Sequence, residues 1–147
     1  MKTDEQYIKY AEWKSADELH EITVGWISEL KFSKDEQLFL QNLIRNYPIT
    51  PISEIEVKES KETADRLAKL YEQIDPLLKK ITNHNNELLV LVDSEDQLEE
   101  EKEYKQTHRL LLEEVNNYLE TYKAHKRIIF ELIKSFIKKE KVKRISK

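Results

Sequence analysis

Apolar residues recur at helical spacing through three stretches of this chain, and short polar or proline-bearing segments separate them. In the first stretch, Leu19 to Tyr47, a heptad reading puts Leu19, Ile22, Trp26, Glu29, Ser33, Glu36, Leu40, Leu43 and Tyr47 on one face. That face is an apolar stripe with a polar middle. Either the stretch is one continuous helix, or it breaks at Ser33, where Ser33 and Glu36 would form a capping box and free Phe32 and Leu38 to pack elsewhere. The continuous reading is preferred. The second stretch places Leu67, Leu70, Ile74, Leu77, Ile81, His84, Leu88 and Leu91 at alternating spacings of three and four, a clean seam with one histidine in it. The third reads Glu101, Tyr104, His108, Leu111, Val115, Tyr118, Tyr122, His125, Ile129, Leu132 and Phe136, with Leu112, Leu119 and Ile133 widening the face.

Boundary signals agree with these periods. Ser15 and Glu18 form a capping box that starts the first helix near Ala16, and Pro48 ends it. The connection PITPI is short and stiff, and Ser53 with Glu56 opens the second helix. Asp75 and Pro76 predict a kink or short break within it. Ser94 and Gln97 offer the next cap. The expected fold is an all-α, elongated antiparallel bundle of three long helices, or four if the chain breaks near Ser33 or Pro76. It is expected to be a single domain over 1–147, with an N-terminal segment (1–14), helices at 16–47, 54–92 and 95–138, and a basic tail (139–147). The aromatic cluster Tyr7, Tyr10 and Trp13 in the N-terminal segment is expected to dock on the bundle.

The run W-I-S-E-L-K-F-S-K-D-E-Q-L-F-L, from Trp26 to Leu40, resembles a segment of small all-helical bacterial proteins of unknown function. The resemblance covers about a tenth of the chain. It implies a long helical bundle and supplies no catalytic residue.

Composition narrows the picture further. One glycine and three prolines in 147 residues, with 37% charged side chains, exclude a turn-rich β fold. A hydrophobic content of 39% supports helices with one buried stripe each, and self-association would hide what remains. The absence of cysteine removes disulfides, thiolate metal sites and thiol nucleophiles. No run approaches the length of a membrane span and no leader is evident at the N-terminus, so a soluble, cytoplasmic protein is expected. The net charge of −4 is unevenly spread: residues 123–147 hold ten Lys/Arg and two Glu, a net +8, which leaves −12 for the rest.

Four groups of residues carry candidate chemistry. Antiparallel pairing about the two turns brings His20, His84 and His108 near one end, with Glu87 close by, a donor set that suits Zn, Fe or Mn in a bundle. No H-E-x-x-H or E-x-x-H pair occurs, and the rings are expected to lie too far apart for a shared mononuclear site. Glu29, Ser33 and Glu36 form a polar layer that would fix helix register, with Arg66 at the level of Glu36. The basic end, Lys134, Lys138, Lys139, Lys141, Lys143, Arg144 and Lys147, could meet phosphates of nucleic acid or an anionic membrane, or be an ordinary helix terminus. Tyr104, Tyr118 and Tyr122 form a stripe that is either a partner surface or the edge of the core.

No phosphate-binding glycine loop and no G-x-S-x-G elbow is present, so an enzyme is not expected. The leading expectation is a non-enzymatic helical interaction or structural module that self-associates as a homodimer. Its expected interface is the far end of the third helix, Ile129, Leu132, Ile133 and Phe136, on the argument that this helix outreaches its partners.

Overall fold

The computed structural model describes residues 15–46, 54–92 and 98–145. They form three helices, α1 (Ala16–Asn46), α2 (Glu54–Val92) and α3 (Leu98–Ile145), and among the described residues there is no strand. The helices pack against each other as an all-α bundle. At the start of α1 the Ser15 hydroxyl oxygen accepts the Glu18 backbone N–H at 3.2 Å, the expected capping bond, and Leu19 N–H bonds the Ser15 carbonyl at 2.9 Å. The N-terminal aromatics and the caps expected at Ser53, Ser94 and Gln97 lie outside the described residues.

The preferred continuous reading of the first helix holds, and the break considered at Pro76 does not occur. α1 continues through Ser33, and α2 is helical through Pro76. Proline removes the N–H that would bond the Glu72 carbonyl, but Glu72 and Pro76 both face solvent, where water can take that carbonyl. α3 also extends past the expected end at 138, because Lys139 to Ile145 contains no helix breaker and its bases suit a helix C-terminus.

The chain divides into two compact units, each drawing a segment from every helix. Unit 1 holds the described residues up to Phe32 together with Ile74–Tyr118; unit 2 holds Ser33–Gln73 and the described residues from Leu119 onward. In unit 1, Leu19, Trp26 and Leu30 of α1 are buried, as are Ile74, Leu77, Ile81 and Leu88 of α2 and Leu111, Leu112 and Val115 of α3. Each such side chain contributes roughly 1.5–3 kcal/mol by leaving water. Lys80 meets Glu114 and His84 meets His108, so α2 and α3 run antiparallel here. In unit 2, Leu40, Leu67, Leu70, Ile129 and Phe136 form the apolar core. Lys34 lies over the Tyr71 ring, His125 meets Thr63, and Lys139 pairs with Glu56. α2 is therefore antiparallel to α3 in this unit as well.

The expected seams of α2 and α3 are the buried ones, apart from an exposed Glu101 and half-buried Leu91, Leu119, Leu132 and Ile133. The seam of α1 is out of phase with its expectation. Leu19, Thr23, Trp26, Leu30, Ser33, Gln37 and Leu40 are buried, whereas Glu29 is exposed and Ile22, Glu36 and Leu43 are half-buried. Leu30 occupies the inner position that the heptad pattern assigns to Glu29. The polar positions buried on α1 are therefore Thr23, Ser33 and Gln37.

A second correction concerns the far end of α3. Ile129 is 0% and Phe136 6% exposed within the single chain, and Leu132 and Ile133 are half-buried. α2 covers this end, since Lys139 reaches back to Glu56 at its start. Ile129 and Phe136 therefore already have cover within the single chain, contrary to the argument that the end of the third helix lacks it.

Candidate functional site

Two polar constellations and one apolar row stand out. In unit 1, the seam positions of α2 and α3 put His84 and His108 ring to ring, with His84 Nε2 and His108 Nδ1 3.0 Å apart. Tyr104, one turn before His108, stacks on His84 at 4.0 Å between centroids, and Trp26 stacks on His108 at 4.7 Å. Burial pushes both imidazoles toward their neutral forms, His84 down to about 4 and His108, which also feels His84, to about 3. One neutral ring donates and the other accepts; two imidazolium rings would set N–H against N–H. Either ring can be the donor in the 3.0 Å contact, with the other accepting. Tyr104 is held above the usual phenol range by burial and by the Glu87 charge, which outweigh Thr23; the Thr23 hydroxyl donates to the Leu19 carbonyl.

The expectation that the histidines lie apart is overturned for this pair, because both occupy seam positions at one level. The other members of the expected donor set are placed differently. His20 is half-buried and bonds Asn85, Nδ1 to Oδ1, at 2.8 Å; Glu87 is exposed. Among the described residues no group of three His, Asp or Glu is placed to hold an ion.

Unit 2 has a different polar cluster. Glu36 accepts hydrogen bonds from the Tyr122 hydroxyl at 2.6 Å and from Lys126 at 2.9 Å. Burial raises the Glu36 pKa, but Tyr122 and Lys126 outweigh that and hold it below the ordinary carboxylate value. The partner expected from sequence, Arg66, lines a surface groove with Glu59, Glu62 and Arg127 instead. His125, also on the seam, bonds the Thr63 backbone carbonyl through Nε2 at 2.9 Å. The tyrosine stripe is core: Tyr104, Tyr118 and Tyr122 are all buried.

The Glu36 contacts also fix a row that sequence reasoning missed. On α1 the positions three and seven beyond Glu36 are Phe39 and Leu43; on α3 those four, seven and eleven beyond Lys126 are Phe130, Ile133 and Ile137. Within unit 2 both helices run antiparallel to α2, so the two sets of residues extend side by side from the Glu36–Lys126 pair. Phe39 is 62% exposed, Phe130 46% and Ile137 44%; Leu43 and Ile133 are half-buried. The detectable signal was an apolar residue beside, rather than on, each seam. Of the basic residues, Lys134, Lys138 and Lys141 are exposed near this row and Lys139 is bound to Glu56; the side chains of Lys143, Arg144 and Lys147 lie outside the described residues.

Comparison with known protein families, with curated proteins and with solved structures finds no match for the chain. No helix among the described residues is long and apolar enough to cross a membrane.

Proposed function

We propose that this chain is a non-enzymatic helical interaction module that self-associates, and that the row Phe39, Phe130 and Ile137 in unit 2 is where a second copy binds. The observation that carries this reading is the exposure of these three large side chains along one row. Scattered exposed apolar residues are ordinary, but an ordered row flanked by charge is how a contact surface is built. Covering it at about 25 cal/mol per Å² offsets part of the cost of association. The polar constellations support the same reading. The histidine pair is sealed inside unit 1, and Glu36 is held ionised by two donors, so neither is poised to exchange a proton with a substrate.

Size-exclusion chromatography with light scattering tests the proposal. The expected result at micromolar concentration is a mass above the 17.7 kDa of one chain, falling toward it on dilution. Phe130→Asp, at an exposed position, is expected to give a helical monomer. A wild-type mass of 17.7 kDa throughout would contradict it.

A further inference from the structure

The apolar row in unit 2 has a strongly basic edge. Lys134, Lys138 and Lys141 lie three before, one after and four after Ile137 on α3, all exposed, and Lys123 sits seven before Phe130. Among the described side chains the acids near this surface are Glu120, three before Lys123, Asp35, four before Phe39, and Glu131, 3.8 Å from Lys134 in a solvent-exposed pair that neutralises little; the lysines outnumber them along the α3 edge. A surface that is apolar at its centre and acidic along the edge facing α3 complements this row.

Unit 1 carries a surface of that description. On α3, Glu99, Glu103 and Leu110 fall on one helix face, at intervals of four and seven. Leu110 is exposed, as are both glutamates. Glu114, one turn beyond Leu110, holds Lys80 at 3.1 Å, which sets this face beside α2, where exposed Glu87 lies seven residues on from Lys80. An exposed leucine with Glu99, Glu103 and Glu87 about it, and with Glu114 paired to Lys80, is net acidic and matches, in sign and in polarity, the lysine-edged row of unit 2.

Resting on the self-association reading, we propose that two copies pair by seating the acidic Leu110 face of unit 1 of each chain on the basic Phe130–Ile137 row of unit 2 of the other. A lipid surface or a nucleic acid would satisfy the lysines but leave Leu110 and its glutamates uncovered; a second copy covers both. The proposed exchange is two-fold, each chain giving one acidic face and one basic row, and a two-fold exchange ends at a dimer. Opposite charges at the rim speed encounter and fix which faces meet, while the apolar centres hold them.

Sedimentation equilibrium on the full chain, at low and at raised NaCl, tests the pairing. Wild type is expected to dimerise more weakly as salt rises, because rim charges are screened. The triple variant Lys134→Glu, Lys138→Glu, Lys141→Glu and the double variant Glu99→Lys, Glu103→Lys are each expected to raise the dissociation constant by about tenfold or more, with helicity unchanged because all five positions are exposed. Combining all five reversals in one chain is expected to restore most of the affinity, which a merely structural effect would not do. A wild-type dimer that neither set of reversals weakens overturns this pairing and leaves self-association standing. A monomer at every concentration overturns both. Recruitment of monomeric wild type to phosphatidylserine vesicles, lost in the lysine variant, overturns the pairing in favour of a lipid partner.

Discussion

Units 1 and 2 both bury histidine on a helix seam, yet they satisfy it in different ways. In unit 1 the partner of His84 is another histidine, and the pair is stacked between Tyr104 and Trp26. In unit 2 the partner of His125 is the Thr63 backbone carbonyl. A carbonyl can only accept, so His125 Nε2–H is the donor in that bond. A ring that must accept cannot be protonated at that nitrogen without losing its bond. The same residue type on a helix seam thus makes one core depend on a neutral imidazole that accepts, whereas in the other the imidazole only donates.

The largest expected effect that sharpens this contrast comes from removing His108. His108→Ala leaves a cavity beside Trp26 and strips His84 of its partner, and is expected to cost about 4 kcal/mol in urea unfolding followed by circular dichroism. His125→Ala, which leaves only a carbonyl to find another donor, is expected to cost about 2 kcal/mol. Equal costs would break the comparison.

The next effect is pH dependence. His84 and His108 are held neutral, well below the ordinary 6.5 they regain on unfolding, so the unfolded chain binds more protons in acid. Their contribution is complete above about 6.5, declines as pH falls through that value, and is spent below about 3. At pH 5 the loss is expected to be on the order of 3 kcal/mol. The double variant His84→Leu, His108→Leu should flatten the profile across this window while leaving stability near neutral pH little changed, since an apolar pair replaces both partners at once. A wild-type profile already flat from pH 7 to 5 would contradict the neutral pair.

The smallest effect belongs to unit 2. Tyr122→Phe removes one of the two donors on Glu36 and is expected to cost about 1 kcal/mol. The cost should be present above the ordinary carboxylate value and vanish as pH falls and Glu36 takes up a proton, in the same sense as the histidine pair but in a lower pH window.

How much of this was legible in the sequence differs from helix to helix. α2 puts Leu or Ile at nearly every inner position, so its period admits one phase, and the seam from Leu67 to Leu88 is the buried one. α1 offers two: Ile22 competes with Thr23 and Glu29 with Leu30. Only the packing of three helices decides that Thr23 and Gln37 go inside. Leu30, four residues from Trp26 and three from Ser33, was the available clue. For the histidines, the turn-based register put His84 and His108 at one level, but ring contact depends on rotamers and on Tyr104 one turn away, which periodicity does not carry. The apolar row escaped notice because Phe39 and Phe130 sit beside the seams, and the Glu36–Lys126 contact that aligns them joins residues remote in sequence.

The central claim is that the exposed row of unit 2, and neither core, meets another copy. Isoleucine-methyl NMR over a concentration series tests it most directly. The account predicts that the Ile137 and Ile133 methyl resonances shift as the protein is concentrated, while those of Ile74 and Ile81, buried in unit 1, and of Ile129, buried in unit 2, stay in place. Shifts confined to the buried isoleucines, or none at any concentration, would contradict it.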